Sequence, residues 1–313
     1  MVQDIAKRLI EEGRERQAQD IYLIPRQDDY DIFMRIGDER QFFGQEKAAL
    51  MASVISHFKF VAGMNVGEKR RSQLGSCDYD IGEGKIVSLR LSSVGDYRGL
   101  ESLVIRLLFD GKQELAYWFD GLEQVKSVVG RRGLYLFAGP VGSGKTTLMH
   151  QLVSEKFAGQ QVISIEDPVE IKEDRFLQLQ LNESIGMTYD NLIKLSLRHR
   201  PDVLIIGEIR DTETARAVVR ASLTGAVVLS TVHAKSISGV YERLLELGVS
   251  PQELSNCLAG VCYQRLIGKG GLIDIATENI ANHDPSRWNQ KIDDLVNQGY
   301  LTEQQGRVEK IIA

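Results

Sequence analysis

The chain opens with apolar residues at helical spacing and then changes to shorter apolar runs. The first run predicts an amphipathic helix to about residue 18. DIYLIPRQDDYDIFMRIGDERQ follows, in which proline, aspartate and glycine separate short apolar segments, and this indicates a pair of strands. KAALMASVISHFKFVAGM predicts a second helix. Further strands are predicted near residues 79–81, 86–91 and 103–108, so residues 1–110 form an α+β domain.

The pattern changes again from Leu134 onward. Here a strand, a glycine-rich loop and a helix are followed by alternating strands and helices, with the segment lengths of a βαβ repeat. We therefore predict an α/β domain over residues 121–313, with a mostly parallel sheet covered by helices on both faces. The segment FDGKQELAYWFDG has glycines and charges at both ends, and residues 111–120 are the predicted linker. Residues 284–313 are polar and predicted to be helical.

Composition narrows the class of protein. The 313 residues are 43% hydrophobic and 26% charged, which suits two soluble domains with separate cores. The formal net charge is −5, and neither half is strongly basic, which argues against direct nucleic-acid binding. The polar start and the lack of a bilayer-length apolar run predict a cytoplasmic protein. The three cysteines, Cys77, Cys257 and Cys262, have no common metal spacing and are expected to be small, mostly buried thiols.

The segment LYLFAGPVGSGKTTLMHQLV carries the most specific chemical motif. Gly139, Gly144, Lys145 and Thr146 fit the pattern G-x-x-x-x-G-K-[ST] between a predicted strand and a predicted helix. Such a loop directs backbone N–H groups at phosphate oxygens, its lysine reaches the β- and γ-phosphates, and its threonine binds Mg²⁺. The predicted nucleotide-binding residues are Gly139, Pro140, Val141, Gly142, Ser143, Gly144, Lys145, Thr146 and Thr147.

Carboxylates follow two apolar strands of the same predicted sheet. VLII at residues 203–206 runs into Glu208, although a buried strand has no packing reason to end in charge. Ligands of open parallel sheets bind beyond the carboxyl ends of the strands, so Glu208 is predicted to hold Mg²⁺ through water and to orient or deprotonate the attacking water. Glu166, after QVISI, is predicted to make a second water or Mg²⁺ contact. Glu170 is either a further contact or a solvated loop charge, and Asp211 is expected to cap the following helix.

A histidine ends a third strand at this edge. His233 follows AVVLSTV, and it is either a structural histidine or a sensor of the γ-phosphate.

The phosphate loop, IEDPVE, RHRPDVLIIGEIRD and STVHA, in that order, resemble the four signature boxes of the secretion and type IV pilus ATPases. The similarity extends over roughly residues 18–268. It implies a RecA-like phosphate-loop ATPase domain, with a mostly parallel sheet, preceded by a smaller, PAS-like α+β domain. It also implies ATP and Mg²⁺ as ligands, with Thr146, Glu208 and Glu166 near the metal, partly through water.

The resemblance also implies a hexameric ring in which arginines of the first domain meet the γ-phosphate. Arg35, Arg90 and Arg106 occupy the matching positions, and each has the alternative of pairing with a local carboxylate. Such rings work at the inner face of the cell membrane on an integral membrane platform protein, so membrane association is expected to be peripheral.

The region after the histidine box contains no paired C-x-x-C motifs, so no structural zinc is expected. A short chain of this kind most resembles the ATPases that assemble the competence pilus of Gram-positive bacteria for DNA uptake in transformation. A type II secretion or pilus-retraction ATPase, and a nucleotide-gated switch without useful turnover, remain as alternatives.

Overall fold

The structure, a computed structural model, describes residues 2–36, 39–108, 115–182, 185–268 and 270–311. Its contacts divide the chain into two units, Met1–Lys112 and Gln113–Ala313. Residues 111–114 of the predicted linker lie outside the described residues. Residues 115–120 belong to the second unit, where the Trp118 indole donates to the carbonyl of Ile267 (2.9 Å).

The first unit contains a six-stranded antiparallel sheet in the order β3-β2-β1-β6-β5-β4. Its elements are α1 (Val2–Glu15), β1 (Asp20–Pro25), β2 (Asp29–Ile36), β3 (Glu39–Lys47), α2 (Ala48–Val61), β4 (Gln73–Gly82), β5 (Lys85–Gly95) and β6 (Glu101–Leu108). Apolar side chains of both helices join alternate strand residues in one core, so the helices cover one face of the sheet.

The second unit contains a seven-stranded sheet in the order β13-β12-β7-β11-β10-β8-β9. The strands are β7 (Gly133–Ala138), β8 (Val162–Glu166), β9 (Leu177–Gln180), β10 (Val203–Glu208), β11 (Val227–Val232), β12 (Leu258–Ile267) and β13 (Gly270–Ala276). The helices are α3 (Gly121–Val128), α4 (Lys145–Lys156), α5 (Tyr189–Arg198), α6 (Thr212–Ser222), α7 (Ile237–Glu246), α8 (Pro251–Cys257), α9 (Ser286–Asn297) and α10 (Glu303–Glu309). All neighbouring strands are parallel except β12 and β13.

The central strands of this sheet are buried on both faces. Along β7, Leu134 and Leu136 belong to one core cluster, whereas Tyr135 and Phe137 belong to another. Successive side chains of a strand point to opposite faces, so helices lie on both sides of the sheet. The predicted α/β class, with its mostly parallel sheet and the preceding α+β unit, is confirmed.

None of the helices in the described parts of the chain is long and apolar enough to cross a membrane.

Candidate functional site

The phosphate loop joins β7 to α4, and its glycines permit a backbone path that other residues would obstruct. Gly139 has φ +145°, and a Cβ there would lie 2.2 Å from the carbonyl oxygen of Gln264 on β12. Gly142 and Gly144 also have positive φ, at +75° and +82°. The loop therefore lies against β12 and leads into the first turn of α4, as the sequence motif requires.

Lys145 is buried at the start of α4 and contacts the loop that it follows. Its ammonium donates to the carbonyls of Gly139 (3.0 Å) and Pro140 (2.8 Å). An ammonium has three N–H donors, so one remains for a phosphate oxygen. Burial lowers the pKa of Lys145, and the negative charges of Glu208 and Glu170 oppose that shift. Glu170, on the exposed loop after β8, is therefore close enough to act on the lysine electrostatically.

A bulge at Gly207 places the carboxylate at the end of β10. The register with β11 shifts between Ile206 and Glu208, and the Thr231 hydroxyl donates to the Gly207 carbonyl (2.9 Å). A Cβ at Gly207 would lie 2.7 Å from the Tyr189 hydroxyl oxygen, so this close approach requires glycine. Bulges redirect side chains at strand ends, and this one sets the direction of Glu208.

The Glu208 carboxylate is held between a guanidinium and an imidazole. Arg210 Nε donates to Oε2 (2.7 Å), and His233 Nε2 lies 2.9 Å from Oε1. His233 Nδ1 lies 3.2 Å from the carbonyl oxygen of Gly139. His233 therefore links the carboxylate to the phosphate loop and has a position at the site rather than in the core.

Glu166 lies at the end of β8 and is 5% exposed. Its Oε1 accepts from Ser164 Oγ (2.6 Å) and Gln178 Nε2 (3.2 Å), and its Oε2 lies 3.7 Å from His150 Nε2. These contacts fix the orientation of a carboxylate that desolvation would otherwise penalise.

Asp211 accepts a hydrogen bond from the backbone N–H of Thr214 (2.7 Å), which confirms that it caps α6. Among the cysteines, Cys257 and Cys262 are buried, whereas Cys77 is only partly buried; none is in a disulfide.

The three candidate arginines belong to one row of the first unit's sheet. Arg35 on β2 and Arg106 on β6 both pair in register with Asp20 of β1, and Arg106 pairs in turn with Arg90 of β5. Arg106 Nε donates to Asp20 (2.8 Å), and Arg35 Nε donates to the Tyr22 hydroxyl (3.1 Å). The Arg90 side chain is partly exposed and makes no hydrogen bond or ion pair with any other residue that the structure describes.

The residues of the second unit fit a nucleotide with Mg²⁺. The glycine loop leaves space along its outer side, because a Cβ at Gly142 would meet nothing within 4 Å. Lys145 retains a free donor, and the partly buried Thr146 at the first turn of α4 supplies the hydroxyl type that Mg²⁺ takes in such loops. Glu208 adds a carboxylate at the end of β10, which β11 separates from β7 in the sheet.

Sequence reasoning missed three contributors to this arrangement: Tyr189, Arg210 as a partner of Glu208, and His150 beside Glu166. His150 follows Thr146 by four positions in α4, so helical spacing could have placed it on the same side of the helix. No sequence signal identifies Tyr189, because its role depends on the bulge.

Comparisons with known proteins identify the family of the chain. Residues 1–306 match the family model described as "Type II/IV secretion system protein". The chain is 65% identical to competence protein ComGA of Streptococcus pneumoniae over 311 residues, 99% of each chain. It is 37% identical to ComGA of Bacillus subtilis, covering 85% of this chain and 76% of that protein.

Solved structures give the same fold at lower identity. The pilus retraction motor PilT with bound ADP superposes with a TM-score of 0.75 at 22% identity, covering 98% of this chain and 97% of that one. The ATPase DotB of Legionella pneumophila has a TM-score of 0.74 at 17% identity, covering 96% and 94%. The family model and the identity with ComGA show that the chain belongs to the type II/IV secretion system protein family, and the prediction of a secretion or pilus ATPase is confirmed.

Proposed function

We propose that ATP is hydrolysed at the carboxyl edge of the second unit's parallel sheet, with Glu208 orienting the attacking water. The observation that carries this proposal is the bulge at Gly207, which directs a carboxylate toward the loop that contains Lys145. Because His233 and Arg210 hold both carboxylate oxygens, Glu208 has a fixed orientation before substrate binds.

The phosphate loop binds the substrate phosphates in this proposal. Backbone N–H groups of residues 141–147 and the free donor of Lys145 contact phosphate oxygens, and the amino terminus of α4 contributes its positive dipole. Thr146, Glu208 and Glu166 hold Mg²⁺, the two carboxylates partly through water. A bound Mg²⁺ neutralises charge that develops on the phosphate oxygens.

Arg90 is the arginine that we assign to the γ-phosphate. Arg106 is paired with Asp20 and Arg35 with Tyr22, whereas Arg90 makes no such contact with the described residues. A guanidinium without a local partner can bind an incoming phosphate without first breaking an ion pair. In this assignment Arg35 has a supporting position in the same row of the sheet, on β2.

We assign to the chain the role of a motor for a competence pilus that takes up DNA during transformation. Its 65% identity with ComGA over 99% of both chains supports this assignment over the type II secretion alternative. The active form is a homo-hexamer that turns an integral membrane platform protein at the inner face of the membrane. Contact with the membrane is peripheral, and contact with DNA is indirect.

Steady-state MgATP hydrolysis as a function of protein concentration tests the enzymatic proposal. A specific activity that rises with concentration, and that is lost in Glu208→Gln, supports an assembled ATPase with Glu208 at its centre. Activity that is independent of Glu208 contradicts the enzymatic proposal. Nucleotide binding without turnover would favour the alternative of a nucleotide-gated switch.

Gene deletion tests the cellular role. We expect loss of DNA uptake with normal protein secretion, and restoration of uptake by the unmodified gene but not by one encoding Glu208→Gln. Normal uptake together with a secretion defect would favour the type II secretion alternative.

A further inference from the structure

Gln264 is a buried amide without partners. It lies on β12 with 1% of its surface exposed, and neither Oε1 nor Nε2 has a hydrogen-bond partner among the residues that the structure describes. Buried side-chain amides are normally paired, because an unpaired polar group in the interior lowers stability. An apolar residue at this position would avoid that cost, so packing alone does not explain Gln264.

The surroundings of Gln264 connect it to the phosphate loop. Its backbone oxygen faces Gly139, and its Nε2 lies 2.9 Å from where a Cβ of Gly144 would be. Ser143, between these glycines, is 3% exposed, and its Oγ also has no partner within the described chain. That Oγ lies 2.8 Å from the position of a Cβ at Gly139. One unpaired polar side chain therefore lies in the phosphate loop and another borders it.

We propose that Gln264 is a positioning residue of the phosphate loop, whose amide pairs with the Ser143 hydroxyl when the loop closes around the phosphates of a nucleoside di- or triphosphate. This inference rests on nucleotide binding at the loop, as proposed above. The amide offers donors at Nε2 and an acceptor at Oε1, and the hydroxyl offers one donor and an acceptor, so either group can donate in the pair.

The hydrogen bond between Gln264 and Ser143 favours the nucleotide-bound conformation of the loop, because the nucleotide-free chain lacks this hydrogen bond. A ligand shifts a conformational equilibrium by its differential affinity for the two states, and a hydrogen bond formed only in the bound state adds to that difference. The positive φ angles of Gly139, Gly142 and Gly144 allow the loop to adjust without side-chain clashes.

The test substitutes Gln264→Met, which retains length and removes hydrogen bonding. The melting temperature of the nucleotide-free protein should stay the same or rise, because an unpaired buried group is removed. The Kd for MgADP, measured by calorimetry, should increase about 10-fold, which corresponds to about 1.4 kcal/mol. Ser93→Ala is the matched control: Ser93 on β5 is fully buried with an unpaired Oγ, and its loss should leave the Kd unchanged.

Ser143→Ala provides a second variant that does not alter the core of the sheet. It should weaken MgADP binding by a similar factor. The double variant Ser143→Ala with Gln264→Met should bind MgADP no more weakly than either single variant, because each substitution removes the same contact. Additive losses would overturn the pairing.

An unchanged MgADP Kd in Gln264→Met, or a fall in melting temperature with no change in Kd, would show a structural role and overturn the inference. Failure of the unmodified protein to bind MgADP, with Lys145→Ala indistinguishable from it, would instead overturn the proposed function and with it this inference.

Discussion

At the scale of single residues, the position of Glu208 explains why an apolar strand ends in charge. The sequence predicts that the carboxylate lies at the sheet edge. The spacing of residues along the chain does not predict which side chains contact it, because these contacts depend on the three-dimensional fold. Arg210 is two residues away, whereas His233 comes from a different strand. Glu166 shows the limit of prediction more clearly, because its contacts with Ser164, Gln178 and His150 come from three separate elements.

Replacement of Glu208 by glutamine should abolish turnover while nucleotide binding persists. The amide retains the shape of the carboxylate but loses the negative charge that orients or deprotonates water, so kcat should fall by ~10² to 10⁴. The MgADP Kd should change little, since in the proposed function Lys145 and the loop bind the phosphates. Single-turnover hydrolysis and calorimetry measure the two quantities.

The control for this substitution is Glu213→Gln, an exposed acidic residue in the first turn of α6. It should leave kcat unchanged. A Glu208→Gln variant that retained more than half of the unmodified kcat would show that the carboxylate is not part of the chemical step.

At the scale of elements, the apolar runs of β7, β8, β10 and β11 predicted four buried parallel strands correctly. The strands β12 and β13 were not predicted from their pattern. The chain passes from α8 into β12 directly after Cys257, without a turn residue to mark the change, and a short apolar run fits either a helix or a strand. Only the structure shows that successive side chains of β12 have different surroundings. Tyr263 packs on Trp288 (5.1 Å between ring centroids), whereas Gln264 borders the phosphate loop.

The bulge in β10 predicts the outcome of Gly207→Ala. The new methyl group would meet the Tyr189 hydroxyl oxygen at 2.7 Å, so the bulge or the tyrosine must move. We expect a loss of about 1 to 3 kcal/mol in the free energy of unfolding, as for overpacked sites, together with reduced kcat as Glu208 is displaced. Urea unfolding and hydrolysis measure these effects.

Tyr189→Phe should partly restore both quantities in the Gly207→Ala background, because it removes the oxygen that the methyl group meets. Gly44→Ala is the control, since a Cβ there has nothing within 4 Å. If Tyr189→Phe gave no recovery, displacement of the bulge by that contact would be refuted.

At the scale of the whole molecule, the resemblance supplied the role of the arginines and the structure supplies their arrangement. The register brings Arg35, Arg106 and Arg90 into one row of the sheet, although they lie far apart in the sequence. Spacing along the chain could not show which of them has a partner, because Asp20 pairs with Arg106 across 86 positions.

Replacement of Arg90 by alanine should lower kcat by ~10³ to 10⁵, the range for arginines that stabilise phosphoryl transfer. The melting temperature should not change, since the Arg90 side chain makes no hydrogen bond or ion pair with the described residues. Arg106→Ala should lower stability more than it lowers kcat, because it leaves the buried Asp20 without its cation. If instead Arg106→Ala lowered kcat more than Arg90→Ala did, the contact with the phosphate would be assigned to Arg106.

Mixing two inactive variants tests whether each site is shared between subunits. If Arg90 acts on the nucleotide of a neighbouring subunit, some sites in a ring of Arg90→Ala and Glu208→Gln chains combine an intact arginine with an intact carboxylate. Dissociated subunits that are mixed and then concentrated should therefore regain hydrolysis. A mixture of Lys145→Ala and Glu208→Gln should regain none, because both residues belong to the same unit of one chain. Recovery in neither mixture would mean that Arg90 serves its own chain, since every site would then retain one of the two defects.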